Sequence, residues 1–380
     1  MTNHQFNWSQ VSNVYNQERV YAPYSAPVTP KKIIGYYPAW GKNMHEIDAT
    51  KLTHINYAFA NIKDGTVVLG YPELDLENFK KMHVLKQKNL NLKLLISVGG
   101  GTWSEDFSSI AFREESREIL ANSTIAFIRK FGFDGIDIDW EFPGSGAKAH
   151  KEDKQNFTLL LKKIREKLNQ ASREDQKQYL LTAAVGAGLN HIANIEVKAV
   201  AKYVDWLNIM TYDYNGKWQS VSGHNAPLYP DPKDFMNPNY NIATTVQNYL
   251  SEGIPPSQLV LGIPFYGRAW TQCCLSDYGQ YQYCYRFPKG KLAVGIYEFN
   301  DLHDNYINKN GYYRMWNSVA KVPYLFNPLQ GTFISYDDEE SNYYKMQYLK
   351  EKCLSGVMIW ELSQDKDNIL LNDLYQKLYY

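Results

Sequence analysis

From Lys32 onward, short apolar runs alternate with longer stretches in which apolar residues recur at helical spacing. The runs are Ile33–Tyr37, His54–Ala60, Leu94–Val98, Gly135–Trp140, Leu180–Val185, Val204–Thr211, Leu259–Phe265 and Gly356–Trp360. Short and nearly continuous, they read as strands buried on both faces. The helical stretches include Leu76–Lys88, Arg113–Lys130, Lys154–Asn169, Thr244–Ser251 and Ser341–Lys352. Eight apolar strands separated by crossovers predict an α/β fold, a (β/α)8 TIM barrel with helices outside. A doubly wound open sheet is the alternative. It lacks support because no Gly-x-Gly-x-x-Gly turn follows the first strand.

Two segments break the rhythm. Roughly 90 residues separate the seventh and eighth strands, and a connection of that length needs structure of its own. Its Tyr-, Gly- and Asn-rich part predicts a small α+β insertion over 271–331, with the barrel formed by 31–270 and 332–380. Residues 1–30 are polar and end in Ala-Pro-Val-Thr-Pro. They read as an N-terminal extension, a linker on a monomer or a docking segment for a larger assembly.

Composition narrows the function classes. Lys+Arg and Asp+Glu both number 40, so net charge gives no general attraction to nucleic acid or an anionic membrane. No stretch approaches the ~20 apolar residues of a membrane span. The first 30 residues also lack the basic-then-apolar order of an ordinary signal peptide. Aromatic content is 15 %, with 31 Tyr and 9 Trp, which fills a core or builds sugar-binding surfaces. Four cysteines make no disulfide framework. Cys284 could bridge to Cys273 or to Cys274 in an oxidising compartment, or all could be free thiols. The eight histidines form no His-x-x-x-His pair, so no metal ligand set and no cofactor is expected.

The fourth run carries the chemistry. It reads Asp134-Gly-Ile136-Asp137-Ile138-Asp139-Trp140-Glu141. Alternate side chains of a strand share a face. Asp137, Asp139 and Glu141 therefore line one face, and Ile136, Ile138 and Trp140 the other. In a barrel the acidic set points inward and climbs toward the C-terminal rim, where barrel active sites lie. Asp134 is out of phase, which suits a structural role at the strand entrance. Three carboxylates spaced about 7 Å apart cannot all ionise in a buried place, so one holds a proton near neutrality. That is what a general acid requires. A carboxylate Mg²⁺ or Ca²⁺ site is the competing reading, but no second acidic cluster stands at the neighbouring strand ends.

Asp134-x-x-Asp137-x-Asp139-x-Glu141 resembles the signature of family 18 glycoside hydrolases, the chitinases. Ser97-Val-Gly-Gly100, Met210-Thr-Tyr212-Asp213, Tyr266-Gly-Arg268, Tyr336-Asp-Asp338 and Gly356-Val-Met-Ile-Trp360 resemble further family motifs, in order, over about 32–380. The insertion resembles that of the deep-groove subfamily.

The resemblance implies hydrolysis of β-1,4-linked N-acetylglucosamine by a substrate-assisted, retaining mechanism, one of the exceptions to the two-carboxylate rule. Glu141 would be the acid and then the base, with Asp139, Asp137 and Tyr212 as the other catalytic residues. Tyr36, Ser97, Trp103, Met210, Asp213, Trp218, Arg268 and Trp360 would bind or support substrate, Trp360 as the floor of the cleavage site. Gly101 departs from the pattern, because the family often has Trp there on the leaving-group side. Trp103 is the candidate to replace it. A chitin-degrading role also implies an extracellular protein. Readings from other classes are a chitin-binding lectin, which typically lacks the glutamate, an endo-β-N-acetylglucosaminidase acting on N-glycans, and a metal-dependent barrel hydrolase.

Overall fold

The computed structural model describes residues 31–380; the extension at 1–30, with its linker or docking role, lies outside the described residues. Eight parallel strands form the barrel: Lys32–Pro38, His54–Lys63, Lys93–Gly99, Gly135–Asp139, Leu180–Gly186, Trp206–Met210, Leu259–Pro264 and Gly356–Trp360. The first pairs with the eighth (Lys32 opposite Gly356) and with the second (Ile34 opposite His54), so the sheet closes on itself. All eight predicted strands are present, with no end displaced by more than three residues. An added strand, Thr66–Leu69, folds back antiparallel on the second strand.

The helices begin and end for local reasons. Asp338 caps helix Glu339–Glu351 by accepting the Glu340 and Ser341 N–H groups, and Ser341 returns a bond to the cap. Asn241 caps Ile242–Ser251 through the Thr244 N–H. The longest helix, Asp153–Asp175, buries Phe157, Leu160, Leu161, Ile164 and Leu168. On the outward face of the fourth strand Ile136 and Ile138 are fully buried. Trp140 stacks on Phe107 at 5.5 Å and meets the edge of Phe157 at 5.8 Å. Burying each such side chain contributes about 2 kcal/mol. This apolar packing fixes which face of the strand turns inward.

The insertion is an antiparallel sheet wider than 271–331. It starts at strand Tyr266–Cys273, directly after the seventh barrel strand, and ends with strand Thr332–Ser335. Strands Cys284–Arg286, Ile296–Glu298, Tyr313–Asn317 and Val322–Asn327 complete it, and helix Phe299–Asn305 packs beside it. Tyr266 and Arg268 therefore belong to the insertion's first strand, in a segment that the limits expected from sequence gave to the barrel. Cys273 and Cys284, opposite each other on adjacent strands, form a disulfide, which decides between the two pairings open from the sequence. Cys274 and Cys353 are free. Among the described residues no helix is long and apolar enough to cross a membrane.

Candidate active site

The inward face of the fourth strand carries Asp137 and then Asp139, and Glu141 follows just past the strand end. Asp137 is fully buried and fully partnered. One of its oxygens accepts from Tyr36 Oη at 2.7 Å and Ser97 Oγ at 2.8 Å. The other accepts from Thr182 Oγ1 at 2.5 Å and Asn208 Nδ2 at 3.2 Å. Burial raises this carboxyl above its ordinary range, and the four donors pull against that rise. Strand register explains the gathering, since Ser97, Asp137 and Thr182 stand opposite one another on three adjacent strands.

One pleat higher the balance reverses. Asp139 is also buried, but its Oδ1 has no hydrogen-bond partner among the described residues. Burial, then the charges of Glu141 and Asp137, raise its carboxyl well above the usual range. Glu141 is pushed up to about 7, first by burial and then by the negative charge of Asp213. Glu141 therefore keeps its proton up to about neutrality, with the Asp139 carboxyl raised beside it, and the two titrate together. Ser104 orients the acid: its Oγ accepts the Glu141 N–H at 2.8 Å and donates to the Gly100 carbonyl at 2.8 Å.

Asp139 and Glu141 open into a cavity of about 290 Å³ at the C-terminal end of the barrel. Tyr36, Met210, Tyr212, Asp213 and Trp360 line it with them. The Tyr212 hydroxyl sits 3.7 Å from the Met358 sulfur, a weak acceptor, and keeps its proton for a stronger one. The Trp360 ring stacks on Phe59 at 5.7 Å and tilts against Tyr36 at 5.7 Å, which presents an indole face at the cavity floor. Asp213 adopts a left-handed backbone conformation at φ 58°. Its carboxylate accepts from Tyr266 Oη at 2.7 Å and pairs with Arg268, whose Nε and Nη2 lie at 2.8 and 2.6 Å.

Nine of the twelve residues named from sequence thus fall into one continuous cluster at or beneath the cavity, in this case Tyr36, Ser97, Asp137, Asp139, Glu141, Met210, Tyr212, Asp213 and Trp360. Arg268 joins from behind Asp213, and its guanidinium also lies 5.3 Å from the ring of Trp218, which is largely exposed. Trp103 leans on Tyr71 at 5.3 Å and does not line the cavity. Trp40, Phe59, Thr102, Ala184, Tyr266 and Met358 also line it without having been predicted as site residues. Trp40 closely follows the first apolar run and Phe59 lies at the C-terminal end of the second, positions that point to the rim.

The glycines after Ser97 divide into two kinds. Gly99 and Gly100 have φ of 107° and 76°, and an added Cβ would lie 2.3 Å from the Asp139 carbonyl oxygen and 2.6 Å from the Phe59 ring respectively. The backbone demands glycine at both. Gly101 has no such constraint. Its added Cβ would meet nothing closer than the Glu141 carboxylate oxygens, at 3.7 and 3.9 Å. The open space beside the acid is therefore a property of this sequence and not of the fold.

Among the described residues no three His, Cys, Asp or Glu side chains converge as a metal ligand set. The arrangement suits proton transfer, with raised carboxyls beside aromatic side chains in the cavity.

Comparison with known proteins places the chain in a family. Residues 32–365 match the family model of glycosyl hydrolases family 18. Chitinase A1 of Niallia circulans is 46 % identical over 90 % of this chain, and the chain spans 58 % of that relative's length. Among solved structures, chitinase ChiA74 from Bacillus thuringiensis is 42 % identical with a TM-score of 0.89, over 92 % of this chain and 70 % of that one. A family 18 N-acetylglucosaminidase from Paenibacillus barengoltzii is 36 % identical with a TM-score of 0.82, over 92 % and 100 %. With its closed barrel, its acidic fourth strand and a family match running through nearly all of its described residues, the chain belongs to family 18 of the glycosyl hydrolases.

Proposed function

We propose that this chain is a chitinase that hydrolyses β-1,4-linked N-acetylglucosamine polymers and oligomers with net retention, using the substrate's acetamido group as nucleophile. The observation that carries the reading is the Glu141 carboxyl, held near 7 beside an Asp139 oxygen with no protein partner. The names of the relatives point to the same substrate class.

Glu141 donates its proton to the glycosidic oxygen, and the bond to the anomeric carbon breaks. The acetamido oxygen attacks that carbon and closes an oxazolinium ring. Asp139, which lines the cavity and whose Oδ1 has no partner among the described residues, accepts the acetamido N–H and faces the developing positive charge. Tyr212 donates to the acetamido oxygen and holds it in line. Asp137, saturated by four donors, anchors the layer below and exchanges charge with Asp139. Water, deprotonated by Glu141, opens the ring from the face the leaving group left, so the product keeps the β configuration.

Proton NMR of fresh chitohexaose products tests this reading. The β anomer is expected first, and an initial α product would exclude it. De-N-acetylation at the cleavage site is expected to stop the reaction. A lectin function would leave chitohexaose intact, and an enzyme for N-glycan cores would prefer a glycopeptide.

A further inference from the structure

The arm that holds Asp213 begins with a residue no motif singles out. Asn225 is completely buried. Its Oδ1 accepts the Asp213 backbone N–H at 3.0 Å, and its Nδ2 donates to the Tyr266 carbonyl at 3.2 Å. Its own backbone N–H donates to Ser335 Oγ at 2.9 Å, and its carbonyl accepts the Tyr214 N–H at 3.1 Å. Tyr266 and Ser335 lie on the first and last strands of the inserted sheet, which pair directly, with Ser335 opposite Arg268. The same first strand supplies both side chains that grip the Asp213 carboxylate. One side-chain amide therefore spans the barrel's sixth loop and the insertion, and it does so at the residue whose φ is 58°. A non-glycine left-handed conformation of this kind persists where its surroundings over-determine it.

We infer that Asn225 is a positioning residue for the glycosidase reaction, fixing the Asp213 backbone to the inserted sheet so that the Asp213 carboxylate stays beside Glu141. This rests on the proposed function above. It also gives the insertion a role beyond walling a groove, since its edge sets the charge that faces the acid. The groups that face Glu141 are Asp139 from its own strand and Tyr212 and Asp213 from the sixth strand end, with Tyr266 and Arg268 of the insertion standing behind Asp213. Among them Asp213 is the charge that raises the Glu141 carboxyl after burial itself. Losing the anchor lets Asp213 move away, and the acid then loses its proton at lower pH.

The experiment measures kcat, KM and the pH dependence of kcat/KM on chitohexaose for the full chain and for Asn225→Ala, Ser335→Ala, Asp213→Asn and the Asn225→Ala/Asp213→Asn double variant. Asn225→Ala is expected to lower kcat about tenfold with KM within about twofold, and to move the alkaline limb to lower pH. Ser335→Ala, the milder cut in the same anchor, is expected to move the limb the same way by less, and it serves as the test if Asn225→Ala does not fold. Once Asp213 has lost its charge, removing Asn225 is expected to cost nothing further in kcat. An alkaline limb that stays in place in the folded variant overturns the inference, whether or not kcat falls. So does a double variant whose losses multiply. An inactive parent chain, or a fully active Glu141→Gln variant, would instead overturn the proposed function itself.

Discussion

The two ends of the fourth barrel strand carry carboxylates in opposite electrostatic states. At the lower end Asp134 pairs with Lys86 and with Lys177 (3.0 Å), and it accepts the Leu94 N–H at 2.9 Å. Burial raises its carboxyl, but these partners outweigh burial and hold it below its ordinary value. At the upper end Glu141 has no cationic partner, and burial with Asp213 pushes it up to about 7. The same residue class, a few positions apart on one strand, thus stabilises the fold at one end and stores a proton at the other. Burial alone does not decide which. Cations and N–H donors crowd the lower end, where loops and helix ends converge, and the upper end faces an open cavity.

Substitution should separate the two ends cleanly. Glu141→Gln is expected to lower kcat on chitohexaose by about 10³-fold or more while binding persists, measured by product chromatography and calorimetry. Comparable activity in that variant would end the distinction. Asp134→Asn is expected to do the reverse: kcat/KM within about twofold, and a loss of about 2 kcal/mol in urea unfolding, because Lys86, Lys177 and the Leu94 N–H lose a charged acceptor.

The pH dependence of stability should carry opposite signs at the two ends. Asp134 is depressed when folded, so its contribution is present above the unfolded carboxylate value of about 4 and is lost as pH falls through the folded one. Glu141 is raised, so the folded state is favoured by its protonation at low pH and loses that advantage as pH rises from about 4 toward 7. Glu141→Gln is therefore expected to raise Tm at pH 8 and leave it nearly unchanged at pH 4, and Asp134→Asn to lower Tm more at pH 7 than at pH 3. Scanning calorimetry across that range checks both. Equal shifts at the two pH values would show that neither carboxyl is perturbed.

The smallest effect concerns the space beside the acid. Gly101→Trp fits the backbone and would add an aromatic face near Glu141. It is expected to lower KM for chitohexaose by about twofold to tenfold, the range of one stacking contact. A changed product pattern in a time course would mark Gly101 as a determinant of how the leaving sugar is held, and an unchanged one would leave Trp40 and Phe59 as the cavity's main sugar-facing rings.

Much of this was legible in the chain before any coordinates. Eight apolar runs predict the barrel because a parallel strand covered on both faces must be continuously apolar. The alternation of Ile136, Ile138 and Trp140 with Asp137, Asp139 and Glu141 assigns the faces, because a strand's side-chain period is two and only one set can be buried in oil-like surroundings. Even with the strand ending at Asp139, Glu141 remains on the cavity side. The insertion's limits were less legible. The run that ends in Phe265 continues without a break into the strand at Tyr266, and nothing in composition marks where one sheet hands over to another.

By itself, then, the sequence determined the barrel and the set of carboxylates on the inward side of its fourth strand, since these follow from local period and spacing. Which carboxylate is saturated and which is left unpartnered was decided by tertiary structure. Thr182, Asn208 and Ser104 reach the site from 45, 71 and 37 positions away from the groups they hold, and Asn225 from 12, and no pattern in the chain announces a hydrogen bond that exists only once the strands are in register. The free Oδ1 of Asp139 and the raised Glu141 are products of that register. A carboxyl's proton affinity depends on the full three-dimensional set of charges and donors around it, and strand period cannot specify that set.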